Sequence, residues 1–324
     1  MPIFRKVLFS SLAIAAFTLS GQAQIALQQP VPKHFKYVVY GDTRFTDDAQ
    51  HPGSSNPEER RALVEGIAKE KPSFIEISGD IALAGPDKND WEVYRKETAI
   101  WQQEHLPVYP VVGNHELAKD PAAGLANFLT AFPQIQNKTF YSLRSGNVLS
   151  LVLDSSQDEL TGPQGEWLKQ QFAELPKDVD FVSILLHHPP YTSSSEDKSM
   201  GGGHSARPKE QEFAKFLEEQ QKTQRARIVV FAGHVHNYEH SIHNGVNYFT
   251  SGGGGAHVYK IRRQPDDLYT KYDVNFHYLL VDVNGKTMNI VMHRLEMQDG
   301  KQQWSNADEV KIETPAHLQV AAAR

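Results

Sequence analysis

An α/β fold, a mixed-sheet β-sandwich flanked by helices, is what this 324-residue sequence predicts. Three observations carry the prediction. Strand-like segments alternate with amphipathic helices over the first part of the chain. From about residue 139 hairpin patterns join the alternation. Polar residues gather just after the strands instead of being scattered through them.

The elements follow in order. Phe35–Tyr40 is apolar and β-rich, and it runs into Gly41-Asp42. Pro57–Lys71 reads as a helix. Pro57 suits a first turn, Glu58 and Glu59 favour the positive end of the helix dipole, and Leu63, Ile67 and Ala68 share a face. Ser73–Ile77 is a strand before Ser78-Gly79-Asp80. One helix is expected from about Asp90 to His105, on Trp91, Tyr94, Ala99 and Trp101. Val108–Val112 is a short strand before Gly113-Asn114-His115-Glu116, and Ala122–Ala131 is the next helix. Thr139–Leu143 and Val148–Leu153 flank a Ser145-Gly146-Asn147 turn and read as a hairpin. Gln164–Glu174 is helical, and the strand Phe181–Leu186 ends in His187-His188-Pro189-Pro190. A Ser/Gly-rich loop covers Thr192–Gly203. Lys209–Gln221 is helical, and the strand Arg227–Ala232 ends in Gly233-His234-Val235-His236. Asn244-Gly245 and Asn284-Gly285 are hairpin turns between alternating strands. From about Gln298 no period is evident, so an irregular tail is expected.

Composition narrows the function classes. Hydrophobic residues are 40 % and charged residues 22 %, which excludes a mostly disordered chain, a collagen and a long coiled coil. Cysteine is absent, which excludes disulfide scaffolds, iron–sulfur clusters and thiol nucleophiles. Arg5 and Lys6 precede an apolar run of 14 residues, Val7–Ser20, and Gly21-Gln22-Ala23 follows. That pattern reads as a secretory signal peptide over residues 1–23, with an exported mature protein, periplasmic or secreted, that has no membrane anchor. The formal charge is −6, and losing Arg5 and Lys6 makes it two units more negative. That balance argues against a nucleic-acid scaffold as partner.

The strand ends carry the chemistry. Five of them, in chain order, present Asp42, Asp80, Asn114-His115, His187-His188 and His234-Val235-His236. Ligands of α/β proteins bind beyond the carboxyl ends of strands, so these clusters should converge. Carboxylate, amide oxygen and imidazole suit borderline divalent cations. Two Asp, one Asn and three His can surround two such ions, with one Asp shared. A pair of ions about 4 Å apart suits hydrolysis of a phosphate ester by an ion-activated hydroxide.

Gly113-Asn114-His115-Glu116 and Gly233-His234-Val235-His236, preceded by the two Gly-Asp pairs and His187, resemble the calcineurin-like metallophosphoesterase superfamily. Tyr238-Glu239 further resembles its purple acid phosphatase branch. The resemblance runs from about Phe35 to about Leu295. It implies a β-sandwich with helices on both outer faces, residues 24–324 as a single domain, and two divalent metal ions, manganese, iron or zinc. By position, Asp80 would bridge the ions. Asp42 and His236 would hold the first ion, and Asn114, His187 and His234 the second. His115 would be the general acid or a charge partner of the transition state, oriented by Glu116. His187 takes the ligand position because it directly follows the strand, and His188 is given a supporting place.

Two positions depart from the family pattern. Arg44 stands where most members place a histidine on the first ion. Leu83 stands where purple acid phosphatases place an iron-binding tyrosine. A first site lacking both is expected to be weak. Arg44 then reads as a clamp on substrate phosphate, or else as a surface partner of Asp47 or Asp48. His204 either lies over the phosphate or is a solvated loop residue. Gly252–Gly255 reads as tight backbone packing near the site. The function implied is an exported phosphoesterase acting on small phosphorylated substrates, mono- or diesters. The alternative is a catalytically weak metal- or phosphate-binding protein that keeps the fold.

Overall fold

In a computed structural model of the chain, residues 25–195, 204–271 and 273–315 are described. The expected signal peptide and residues 196–203 of the Ser/Gly-rich loop lie outside the described residues. Two mixed sheets face one another. The first has seven strands in the order β1 (Ala26–Gln28), β5 (Tyr141–Ser145), β6 (Val148–Val152), β7 (Phe181–Leu185), β8 (Arg227–Ala232), β10 (Val246–Ser251), β9 (Tyr238–His243). The second has six, in the order β13 (Lys301–Glu313), β12 (Thr287–Gln298), β11 (Phe276–Asn284), β2 (His34–Tyr40), β3 (Ile75–Ile77), β4 (Val108–Pro110).

Side-chain alternation builds the layers. Val148 and Val152 of β6 join Phe231 and Phe249 in one buried cluster with Tyr37, Val39, Leu279 and Val281 of the second sheet. Leu149, Leu151 and Leu153 point the other way. They pack on Leu168 and Phe172 of α5 (Gly162–Ala173) and on Phe213 and Leu217 of α6 (Pro208–Thr223). Strands covered on both faces read as continuous apolar runs, which is why β7 and β8 are so hydrophobic. Helix α1 (Pro57–Glu70) covers β11 and β12 of the second sheet. Its first turn holds Pro57, Glu58 and Glu59, and it stops at Lys71, whose φ is 51°.

Two expectations are corrected. The single helix from Asp90 to His105 is two, α2 (Lys88–Glu97) and α3 (Ala99–Gln103). The break falls at Thr98, whose hydroxyl and N–H both donate to the Tyr94 carbonyl, at 2.7 and 2.9 Å, a back-bond that bends helices. The irregular tail from about Gln298 is instead the end of β12 and all of β13, paired antiparallel. Asp299 and Gly300, at φ 52° and 69°, make the turn between them. β13 is a mostly exposed, polar edge strand, so it shows no apolar period. β1 lies just beyond the expected cleavage point and pairs in parallel with β5. Helix α4 (Pro121–Ala131) falls as expected.

Parallel pairing sets up the site. β2, β3 and β4 run parallel in one sheet, and β7 and β8 run parallel in the other. The loops leaving their carboxyl ends carry the polar clusters.

Candidate metal centre

Backbone strain and close packing shape the loops first. Asp42, Arg44, Asp80 and His234 have φ of 55°, 44°, 51° and 70°, a region that non-glycine residues rarely occupy. Each is held there. The Asp42 N–H donates to the Gly79 carbonyl at 3.0 Å, and the Arg44 N–H to the Asp80 carbonyl at 3.0 Å. The His234 N–H donates to Asp42 Oδ2 at 2.7 Å. Gly113 has no room for a side chain, since a Cβ would lie 2.3 Å from Asp80 Oδ1. A Cβ on Gly252 would lie 2.2 Å from the Val235 carbonyl and 2.8 Å from Asp42 Oδ2, so this glycine run does pack tightly against the site.

Asn114, His187 and His234 meet at one point. Asn114 Oδ1 is 2.9 Å from both His187 Nε2 and His234 Nδ1, and the two nitrogens are 3.2 Å apart. Asp80 Oδ1 is 3.3 Å from His187 Nε2. His187 Nδ1 donates to the Ser78 carbonyl at 2.8 Å, which leaves Nε2 with its lone pair. Burial lowers the pKa of His187 and of His234, so both favour the neutral, ligating form. Amide oxygen, carboxylate and neutral imidazole nitrogen are all acceptors. Their convergence fits a cation.

Asp42, Asp80 and His236 form the adjacent group, with ligand atoms within 4.8 Å of one another. Asp42 Oδ1, Asp80 Oδ2 and His236 Nε2 are buried and have no hydrogen-bond partner among the described residues. His236 Nδ1 donates to the His257 carbonyl at 2.8 Å, again leaving Nε2 free to ligate. Burial, with Asp80 beside it, pushes Asp42 well above the ordinary carboxylate range. Burial opposes ionisation of Asp80 too, but His187, His115 and Arg44 outweigh it and hold Asp80 below that range. Burial, with Arg44 beside it, lowers His236 to about 3. The donors of both groups fit a divalent ion, and the six residues expected as ligands are the ones brought together here.

The remaining expectations divide. Arg44 turns inward. Its Nη2 is 3.6 Å from Asp80 Oδ2 and its side chain is 15 % exposed. The alternative of a surface pair with Asp47 or Asp48 is not what forms. Asp47 accepts from the Ala49 N–H and Asp48 from the Gly53 N–H. His204 is at the site, its ring 4.0 Å from that of His234 and 5.7 Å from that of His236. His115 Nδ1 donates to the Leu83 carbonyl at 2.5 Å, and its Nε2 lies 3.9 Å from Asp80 Oδ2.

Glu116 is the correction. It was expected to orient His115, but the Leu83 carbonyl does that. Fully buried, the Glu116 carboxylate accepts backbone N–H groups from Asp80, Ile81, Ala82 and Gly113 at 2.8–3.1 Å. It ties the Asp80 loop to the Asn114 loop. A short acidic acceptor opposite a row of free N–H groups does this best, and the tie requires β3 and β4 to be neighbours. Burial, with Asp80 nearby, raises Glu116 to about 8.

Other residues at the site carried little or no sequence signal. His188 is buried, its ring 4.4 Å from that of His234, and its Nδ1 meets Ser155 Oγ at 2.8 Å. Arg60, fully buried, donates to the carbonyls of Arg44 and Thr46 and to the Glu97 carboxylate. Glu239 accepts from Thr192 Oγ1 and the Ser193 N–H, both at 2.7 Å, and so anchors the root of the loop that leads to His204.

The family model for calcineurin-like phosphoesterases matches residues 35–238. Purple acid phosphatase 23 of Arabidopsis thaliana is 25 % identical over 258 residues, which is 66 % of this chain and 54 % of the relative. Phosphoenolpyruvate phosphatase of Allium cepa is 26 % identical over 211 residues, 59 % of this chain and 41 % of the relative. The chain thus spans about half the length of these relatives. Among solved structures, a purple acid phosphatase from yellow lupin (Lupinus luteus) seeds has a TM-score of 0.68 at 17 % identity, covering 88 % of this chain and 55 % of that one. GAP50, the anchor in the inner membrane complex of Plasmodium, has a TM-score of 0.62 at 15 % identity, covering 87 % and 90 %. At these identities the structural likeness concerns the fold, which is the mixed two-sheet arrangement with flanking helices expected from the sequence. The calcineurin-like family uses a dinuclear metal centre, and the two donor groups here provide candidate ligands for one. Matched over most of its length by the family model, the chain belongs to the calcineurin-like phosphoesterases.

Proposed function

We propose that the protein is an exported, metal-dependent phosphoesterase that hydrolyses small phosphate mono- or diesters. The observation that carries this reading is the convergence of Asn114, His187 and His234 beside Asp42, Asp80 and His236, with His115 at the rim. Asp80 would be shared, Asp42 and His236 would hold the first ion, and Asn114, His187 and His234 would hold the second. Manganese, iron and zinc all accept this donor set. When bound, the ions supply Lewis acidity that polarises phosphate oxygens and acidifies a water.

The chain's own residues do the rest. Arg44 presents a planar fork of N–H donors that suits two phosphate oxygens. His204 lies over the same space, next to His234. His115 has its Nδ1 proton engaged by the Leu83 carbonyl, so it is the imidazolium form, with a second proton on Nε2, that protonates the leaving alcohol oxygen. As water adds to phosphorus, the ester P–O bond breaks and that oxygen takes the proton. Export rests on the basic start and apolar run of residues 5–23.

The test is hydrolysis of p-nitrophenyl phosphate and of its bis-ester by metal-depleted and by manganese- or zinc-supplemented protein, alongside Asn114→Ala. Metal-dependent turnover lost in Asn114→Ala by at least about 100-fold supports the reading. About one ion or fewer per chain with no turnover on either ester refutes it. The amino-terminal sequence of protein recovered outside the cytoplasm tests cleavage after Ala23.

A further inference from the structure

We propose that Arg44 keeps the first cation site weak until a phosphate group arrives, so that phosphate and the first ion bind cooperatively. The proposal rests on the phosphoesterase reading of this site and adds a regulation to it.

Arg44 Nη2 lies 3.6 Å from Asp80 Oδ2, one of the three unpartnered atoms that the first ion would use. A guanidinium has no lone pair to offer and does not lose its proton at ordinary pH. An ion entering between Asp42, Asp80 and His236 therefore meets a fixed positive charge in a buried setting, where screening is poor. The second group feels Arg44 at longer range, through its charge on His187. Its Asn114, His187 and His234 atoms contact one another and Asp80.

The placement is built into the fold. Arg44 is held at φ 44°, with its N–H on the Asp80 carbonyl at 3.0 Å and its own carbonyl on Arg60 Nη1 at 3.0 Å. Arg60 is itself locked by the Glu97 carboxylate at 2.8 and 2.9 Å and by Ser55 Oγ at 2.8 Å. The backbone of Arg44 is thus pinned from α1 and α2, and only its side chain is free to turn. At 3.6 Å the contact with Asp80 is an ion pair without a proper hydrogen bond. Arg44 Nε has no hydrogen-bond partner among the described residues. These spare donors are what a phosphate would engage in bidentate fashion. Phosphate that draws the guanidinium off Asp80 Oδ2 releases that oxygen to the ion and neutralises part of the charge. By linkage, the ion then tightens phosphate by the same factor.

The test is calorimetric titration of metal-free protein with zinc, with and without inorganic phosphate, for the natural protein, Arg44→Gln and Arg44→Lys. The natural protein should bind one ion tightly and a second at least about ten-fold more weakly, and phosphate should tighten that second ion about ten-fold. Arg44→Gln should bind the second ion at least about ten-fold more tightly without phosphate and lose most of the phosphate effect. Arg44→Lys keeps the charge and should keep the weak site, which separates charge from a general loss of folding. Two ions of equal affinity in the natural protein overturn the proposal. So does a second-ion affinity in Arg44→Gln within about twofold of natural. Absence of any tight ion overturns the metal-centre reading and this proposal with it.

Discussion

The two halves of the centre draw on five strand ends, sharing those of β3 and β8, and differ in their electrostatics. Around the second ion's position the donors are an amide and two imidazoles kept neutral by burial, with Asp80 as the one acid. Around the first, two buried carboxylates and one imidazole share the space with a guanidinium. In the second half, geometry alone tells which atoms bind. In the first, the protein supplies its own cation, so charge balance decides. Five strand ends suffice to place donors, while the proposed role of Arg44, two positions after Asp42, is to set how strongly one group of them would hold an ion.

His115 offers the sharpest way to test that division, because it borders the first half without joining its donor group. His115→Ala should lower kcat by about 10²- to 10⁴-fold with unchanged metal content. The loss should be smaller for an aryl ester, whose leaving group needs less protonation, than for an alkyl ester. Parallel kinetics and metal analysis check this, and loss of metal along with activity would make His115 part of the centre instead.

Glu116 joins the halves, and its removal should disturb both. Glu116→Ala leaves four buried N–H groups unpaired and should destabilise the fold by about 3 kcal/mol or more. Denaturant unfolding of metal-free protein measures it. Glu116→Gln keeps a carbonyl acceptor and should recover part of the loss. A loss below about 1 kcal/mol in Glu116→Ala would show that the two loops hold their places independently.

A third buried acid sharpens the contrast. Glu76 of β3 lies between the sheets, fully buried, with both oxygens unpartnered among the described residues. No cation among the described residues pairs with it, and burial raises its pKa from 4.5 to about 7. A raised acid favours the protonated folded state. Its contribution is fully present below about pH 4.5 and is lost as pH rises through about 7. Glu76→Gln should therefore flatten the pH dependence of stability over that window, a difference of up to about 3 kcal/mol. Unfolding of both proteins at pH 4.5 and pH 8 measures the difference, and identical slopes would mean that Glu76 is ionised in the fold.

Much of the centre was legible in the sequence because its signals are local. Asp42, Asp80, Asn114, His187, His234 and His236 each follow an apolar strand within three or four residues, and Gly113 and Gly233 mark turns with no room for a side chain. Arg44 was legible as a departure, and its direction was not. Its aim depends on Arg60 in α1 and Glu97 in α2, 16 and 37 residues further from one another in turn along the chain. Glu116 was read by its neighbour in sequence, His115, while its real partners come from the adjoining strand's loop. β13 escaped notice because an exposed edge strand of polar residues has no apolar alternation, and the break at Thr98 turns on a single hydroxyl bond.

The sequence by itself determined the class of fold, the order of most strands and helices, and the residue types gathered at each strand end. Apolar period and turn chemistry act over a few residues, so they can be read along the chain. Only the tertiary structure decided which atoms meet. The tautomers of His187 and His236, the four N–H groups on Glu116 and the approach of Arg44 to Asp80 Oδ2 all depend on contacts between distant segments. Those contacts arise when the parallel strands of two sheets bring five loops to one place, and burial there makes each charge count.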